Sequence, residues 1–228
     1  EYGFSLVGQM MLGLPDSDEE KELQTAKELC LLGVDAIRIY PTAVFCDTEL
    51  DAMYREGSYP PLDLHEGAMR AGKILRLIHS YGVECIRCGL QAQDNLSDDS
   101  VVTAGAYHPA FGSIAIGKAM RLSILEELEK NGFAPLKYPK QIRFAVSPLR
   151  LFDASGYQKE NKKLLTGKIQ LIITTIFCNI RHTAVKIHTP DGVTYSLILK
   201  FRLTVCLIIV VIIINGFSSD LYIIVVRL

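Results

Sequence analysis

The sequence predicts an α/β fold: a partial parallel (β/α) barrel fragment, comprising only the last strands of a barrel, followed by a small α+β domain. Three observations carry that prediction. From Glu1 to Leu90, apolar runs and amphipathic segments alternate as strand, helix, strand, helix, strand, and crossovers of this length join parallel strands in the right-handed sense. Three strands cannot close a barrel, so the segment reads as the closing part of one. Pro135 and Pro139 then mark a linker, and beyond Lys168 the composition turns from charged to rich in Ile, Val and Leu. The expected division is 1–112 for the partial barrel, 113–139 for a helix and linker, 140–200 for the small domain and 201–228 for an apolar tail.

The elements follow in order. Phe4 to Leu12 is a near-continuous apolar run ending at Gly13-Leu14-Pro15, as expected of a strand covered on both faces. The strand pattern opens as early as Tyr2, so the chain is expected to begin inside a larger domain. Ser17 and Glu20 form a capping box that opens a helix. Its stripe is Leu23, Ala26 and Cys30, widened by Leu29 and Leu32, and Gly33 ends it. A second strand, Asp35 to Tyr40, stops at Pro41, and a short helical stretch lies around Thr48 to Arg55. Asp63 and Glu66 form a second capping box for a helix ending at Tyr81-Gly82. The third strand is Val83 to Leu90.

A helix is expected from Ser113 to Lys130, stopped by Asn131-Gly132. A small unit follows: strand Ile142 to Val146, a helix from Pro148, a turn at Gly156-Tyr157-Gln158-Lys159, a helix from Glu160 to Leu165 and strand Ile169 to Thr174. Ala184 to His188 and Val193 to Leu199 flank Thr189-Pro190-Asp191-Gly192 as a hairpin. Leu203 to Ile214 meets Asn215-Gly216 too early for a membrane span of about 18–20 residues. It reads as a buried strand, and as an aggregation hazard if exposed.

Charge and cysteine content exclude some classes of function. Across 228 residues the formal net charge is −1, with 49% hydrophobic and 21% charged residues, which gives no global attraction to nucleic acid. Six cysteines (Cys30, Cys46, Cys85, Cys88, Cys178 and Cys206) are too sparse for a disulfide framework, and a reducing cytoplasmic location is expected. Cys85-Ile86-Arg87-Cys88 falls in a predicted strand. Strict alternation there sends the two thiols to opposite faces, so both read as core thiols and no metal site is expected in this fragment. No His, Asp and Glu cluster has ligand spacing, which argues against an unrelated metal-dependent barrel.

Alternation also sorts the candidate site. Gln9, Met11 and Gly13 share one face of the first strand, and Arg38 and Tyr40 oppose Ile37 and Ile39 in the second. In the third, Arg87, Gly89 and Gln91 oppose Ile86, Cys88 and Leu90. The apolar faces suit packing under helices, which points Gln9, Arg38, Tyr40, Arg87 and Gln91 to the barrel interior. A buried arginine without a partner costs on the order of several kcal/mol. Two readings stand: an anionic ligand near the C-terminal strand ends, or ion pairs with acids on other strands.

Several of these segments resemble the radical S-adenosylmethionine (SAM) domain of the Elongator catalytic subunit. They are Gly13-Leu14-Pro15, Arg38-Ile39-Tyr40-Pro41-Thr42, Thr48-Glu49-Leu50, Tyr54, Glu56-Gly57-Ser58-Tyr59 and Pro61-Leu62. Ile86-Arg87, Gly89-Leu90-Gln91, Ala104-Gly105 and Tyr107-His108-Pro109-Ala110-Phe111-Gly112 are closer to a bacterial Elongator-like group without the acetyltransferase domain. The resemblance covers Gly3 to Gly112. It implies a partial parallel barrel, SAM, and a 4Fe-4S cluster that cleaves SAM to a 5′-deoxyadenosyl radical. It also implies that the cluster's cysteine triplet lies outside this chain, which alone should perform no radical chemistry. By the same resemblance Gln9, Met11, Gly13, Arg38 and Tyr40 contact SAM or substrate. Arg87 and Gln91 lie nearer the substrate, and His108 reads either as a loop histidine before Pro109 with only local hydrogen bonds or as a candidate catalytic proton donor or substrate ligand. Asp16 stands where the family commonly has Gly.

Gln141 to Thr174 has the strand–helix–turn–helix–strand order of a KH-type RNA-binding unit. From Lys137 to Lys168 eight Lys and Arg face two acids, Asp153 and Glu160. A KH loop needs G-x-x-G, and only Gly156 of that pair is present. A degenerate KH-like module would meet RNA, such as tRNA, through Gly156, Lys159, Lys162 and Lys163. An accessory domain with a solvated basic face is the alternative.

Overall fold

The computed structural model describes residues 3–91, 101–130, 141–146, 150–166, 170–175, 183–188, 194–199, 212–213 and 222–224. Two units separate by internal packing: residues 1–126 with 152–164, and residues 127–151 with 165–228.

The first unit is built on a parallel sheet of three strands, β1 (Val7–Leu12), β2 (Ala36–Pro41) and β4 (Glu84–Cys88), in the order β1-β2-β4. Regular pairing begins at Val7, with Leu6 just before it accepting from the Asp35 N–H at 2.8 Å, so the strand starts later than its apolar run suggests. β1 alternates exposed and buried residues, which corrects the expectation of cover on both faces. Only Gly8, Met10 and Leu12 face inward.

Helix α1 (Glu19–Leu31) crosses back from β1 to β2. Its N-cap is Asp18, which accepts from the Lys21 N–H at 2.8 Å, one residue beyond the expected Ser17. Ser17 instead donates its hydroxyl to Glu22 at 3.2 Å. Ala26 and Cys30 form the buried stripe, whereas Leu32 is exposed past the end of the helix. Gly33, at φ 77°, takes the left-handed conformation that terminates it.

Helix α3 (Leu64–Ser80) makes the second crossover, capped by Asp63 accepting from the Glu66 N–H at 2.8 Å. The Glu66 carboxylate turns outward to Arg70 rather than completing the capping box. Both helices pack on the face of Met10, Leu12, Ile37 and Ile39, against Ala26, Cys30, Ala68, Ala71, Ile74 and Ile78.

A second, antiparallel pair, β3 (Ala43–Phe45) with β5 (Val102–Gly105), is absent from the sequence reading. Its strands hold three and four residues, too short to show a period. Helix α2 (Glu49–Arg55), capped by Thr48, follows β3. Helix α4 (Phe111–Lys130) begins two residues before the expected Ser113. Gly72 of α3 meets the Ala119 backbone so closely that a Cβ there would lie 2.9 Å from the Ala119 nitrogen.

Helix α5 (Leu151–Ser155), a 3-10 turn Tyr157–Lys159 and helix α6 (Glu160–Thr166) come next. Residues 152–164 of this segment pack within the first unit. Asn161 ties them in by donating to the Gly117 carbonyl at 2.8 Å.

In the second unit β6 (Gln141–Val146) and β7 (Gln170–Thr175) pair in parallel. β8 (Thr183–His188) and β9 (Thr194–Leu199) form the expected antiparallel pair. In the tail, β10 (Ile212–Ile213) pairs with β11 (Tyr222–Ile224), which lies parallel to β6. The linker 131–140, the turn 189–193, residues 203–211 and cysteines 178 and 206 lie outside the described residues. Among the described residues no helix is long and apolar enough to cross a membrane.

Candidate functional site

The register of the three-stranded sheet fixes which side chains can act together. Gln9 pairs with Arg38 in β1–β2, and Arg38 with Arg87 in β2–β4, so these three form a row across the sheet. Met11 pairs with Tyr40 in the next row. All five side chains lie opposite the helix-packed face. The Arg87 guanidinium donates to the Gln91 side-chain carbonyl at 3.4 Å. The geometry therefore brings Gln9, Met11, Arg38, Tyr40, Arg87 and Gln91 to one open surface.

That surface differs from the expected interior in burial. Gln9, Arg38, Arg87 and Gln91 are exposed and Tyr40 is half-buried. No described layer covers this face, so neither arginine bears the desolvation cost that the sequence reading assigned to it. Neither forms an ion pair with a described carboxylate.

Gly13 sits apart from this group. It is buried at φ 74°, and a Cβ there would come within 2.8 Å of Leu62. Its N–H donates to Glu22 at 2.7 Å and its carbonyl accepts from the Tyr59 hydroxyl. Both of its polar groups are thus spent in fastening the strand end. Burial, followed by the nearby Glu22 charge, pushes the Tyr59 phenol above its ordinary range. Glu22 also meets Arg70 at 3.4 Å. The sequence signal for Glu22 was available: positions 22, 26 and 30 are spaced four apart, which places it on the buried stripe of α1.

His108 uses both ring nitrogens locally. Nδ1 accepts from the Ala110 N–H at 2.9 Å, so the ring proton of the neutral form is on Nε2, 3.4 Å from the Tyr157 hydroxyl. The two rings meet edge-on, their centroids 5.4 Å apart. The Tyr157 ring also packs against the core of the first unit.

The basic segment separates into two environments. Lys159, Lys162 and Lys163 are exposed. Gly156 is buried, its Cα 3.3 Å from where a Cβ on Gly117 would stand. Close approach of a nucleic-acid backbone to Gly156, the feature a KH loop requires, is therefore blocked by α4.

Behind this segment lies an ion cluster that sequence reasoning missed. Lys118 is 2% exposed. Its ammonium donates at 2.6 Å to both Glu160 oxygens and lies 3.0 Å from His65 Nδ1. Arg121 adds a bond to Glu160 at 3.1 Å. Burial works to raise the Glu160 carboxyl, but the Lys118 hydrogen bond and the Lys118, Arg121 and His65 charges outweigh it and hold the group below its ordinary range. Glu160 is 42 residues from Lys118, so no local pattern reveals the pair.

Cys85 and Cys88 both pack against the core as expected, but the expectation that they face opposite sides is overturned. β4 bulges opposite Ile37 and Arg38: Ile37 pairs with Cys85, Arg38 with Arg87, and Ile86 is left over. The extra residue returns both thiols to the helix-packed side and turns Ile86 out to 47% exposure. The sequence reading had placed Ile86 in the core with the thiols on opposite faces.

No described residues fit a 4Fe-4S cluster. Three thiolates are the minimum for that group in the resemblance, and among the described residues no three His, Cys, Asp or Glu are grouped to hold a metal.

The family model described as Radical_SAM C-terminal domain matches residues 34–121. The match runs from the start of β2 into α4 and includes Arg38, Tyr40, Arg87, Gln91 and His108. An uncharacterized protein of Methanocaldococcus jannaschii is 41% identical over 61 residues, which is 27% of this chain. The chain spans 19% of that relative's length. The family match supports a place in the radical SAM superfamily and points to that enzyme family.

Proposed function

We propose that this chain supplies the closing strands of a radical SAM enzyme's sheet, and that the open face of Gln9, Met11, Arg38, Tyr40, Arg87 and Gln91 is its binding surface. Gln9, Met11, Arg38 and Tyr40 meet SAM, while Arg87 and Gln91 lie toward the substrate. The observation that carries this reading is the register row Gln9–Arg38–Arg87 on a sheet whose other face is wholly apolar. Two guanidinium groups and two amides offer several donors in fixed directions to carboxylate or phosphate oxygens.

When bound, SAM and the cluster supply the radical chemistry; the chain's own residues bind and orient. The cluster ligands belong to sequence outside the described residues. Gly13 acts as a positioning residue, its peptide held by Glu22 and Tyr59. An RNA substrate such as tRNA, and an Elongator-like subgroup, enter this proposal through the resemblance alone. Lys159, Lys162 and Lys163 are the exposed basic residues that such a substrate would meet.

Anaerobic reconstitution with iron and sulfide tests the proposal in two arms. The 228-residue chain should take up no cluster and release no 5′-deoxyadenosine. A longer polypeptide that joins it to a cysteine triplet should do both. A longer polypeptide that binds the cluster but never cleaves SAM would sink the reading.

A further inference from the structure

The bulge in β4 creates a site that the open-face reading does not use. Cys85 and Cys88 bracket Ile86 and Arg87, and both lean to the same side of the sheet against the core. The Cys85 thiol donates to the Arg87 carbonyl at 3.2 Å, and Cys85 and Cys88 stand opposite Ile37 and Ile39, two positions apart along β2. Helix α4 begins directly over Cys88: a Cβ on Gly112 would stand 2.6 Å from the Cys88 carbonyl and 3.7 Å from its Cβ. Cys88 is thus the sheltered thiol and Cys85 the approachable one. With no third ligand grouped beside them among the described residues, the pair lacks the donors of a structural metal site.

We propose that Cys85 and Cys88 form a reversible dithiol–disulfide couple that exchanges with a low-molecular-mass disulfide of the glutathione class. The Cys85 thiolate attacks one sulfur of that disulfide, forms a mixed disulfide and expels one thiolate. Cys88 then loses its proton to solvent, and its thiolate attacks the Cys85 sulfur and expels the second. The protein gives up two electrons and two protons, and the small disulfide becomes two thiols.

The electrostatics divide the labour in the same way. The hydrogen bond from Cys88 leads the effects that lower the Cys85 thiol, outweighing its burial. The same bond, then burial, pushes Cys88 well above its ordinary range. An attacking thiol that ionises readily and a resolving thiol that keeps its proton are what such exchange requires. Because Arg87 lies between them, the closed bond locks the kink that sets Arg87 opposite Arg38. The couple itself does not rest on what the open face binds.

The chain carries its own readout, since trypsin cuts after Arg87, between the two cysteines. Incubate the full chain with graded ratios of oxidised to reduced glutathione, quench in acid, alkylate, and map the peptides by mass. The expected product is a disulfide joining peptides 77–87 and 88–118, lost on reduction, while the 28–38 peptide of Cys30 stays unpaired. Cys88→Ser should leave Cys85 as a glutathione mixed disulfide, and Cys85→Ser should yield no crosslink. In the unsubstituted chain, iodoacetamide should label Cys85 at least about tenfold faster than Cys88 at pH 8. Glutathionylation of both peptides without the crosslink, or no reaction at either cysteine, overturns the proposal, as do equal labelling rates.

Discussion

The two faces of the β1-β2-β4 sheet are made by alternate residues of the same strands, yet they do different work. Met10, Leu12, Ile37 and Ile39 point into the helices and are at most 4% exposed. Gln9, Met11, Arg38, Tyr40 and Arg87 point the other way, onto a surface of donors and polarizable side chains. An all-parallel sheet ordinarily carries cover on both faces. Under the proposed function, a face that is polar on every strand is one on which ligand contact, not packing, decides the residues. Stability resides on the helix-packed side of the sheet and the proposed recognition on the other, and substitutions should separate them.

The largest separation comes from neighbours in one strand. Ile39→Ala should cost about 4 kcal/mol in urea unfolding, from lost transfer free energy and the cavity left behind. Arg38→Ala, one residue away on the open face, should stay within about 0.5 kcal/mol. Equal losses would erase the distinction between the faces.

Next is the ion cluster, where charge rather than apolar surface is buried. Glu160→Ala strands the Lys118 ammonium and should cost on the order of 3 kcal/mol, whereas Lys118→Met with Glu160→Gln should recover most of it. The chain contains no Trp, so circular dichroism is the suitable probe. If the double variant is as unstable as the single, Lys118 is not stabilised by this carboxylate.

Acid sharpens the same point. The folded state lowers the Glu160 carboxyl below its ordinary value of 4.5. Its contribution is therefore complete above about pH 4.5 and fades as pH falls through the folded-state value. Melting temperatures measured from pH 6 to pH 3 should fall less steeply in Glu160→Gln than in the parent chain. Identical profiles would remove Glu160 from the account.

The smallest expected effect is at Asp16, which holds φ 59° where the resemblance suggests Gly. Asp16→Gly relieves the left-handed strain but frees the unfolded chain, so a gain below about 1 kcal/mol is expected. A clear loss in thermal melts would mean that the Asp16 side chain holds the turn by contacts of its own.

Period-2 reading located the two faces in β1 and β2 because no irregularity interrupts those strands. It failed in β4, where the one extra residue, Ile86, inverts every assignment before it. The cap at Asp63 was legible because it is local, and the slip from Ser17 to Asp18 came from two adjacent capping residues competing for one helix start. Nothing local could reveal Lys118 with Glu160, or Tyr59 with Gly13, since both pairs form only when distant helices and loops close. The pairing of β3 with β5 was hidden for a related reason, a register of three residues joined across a long connection.

The direct trial of the binding surface is SAM affinity by calorimetry, in an anaerobically reconstituted longer polypeptide. Loss of a charge-assisted bond of about 1.5–3 kcal/mol should weaken binding at least about tenfold in Arg38→Ala. A loss in the same direction is expected in Gln9→Ala, while Lys27→Ala, on exposed α1 surface, should leave affinity unchanged. Undiminished SAM binding in both open-face variants, with their folding intact, would contradict the assignment of this face.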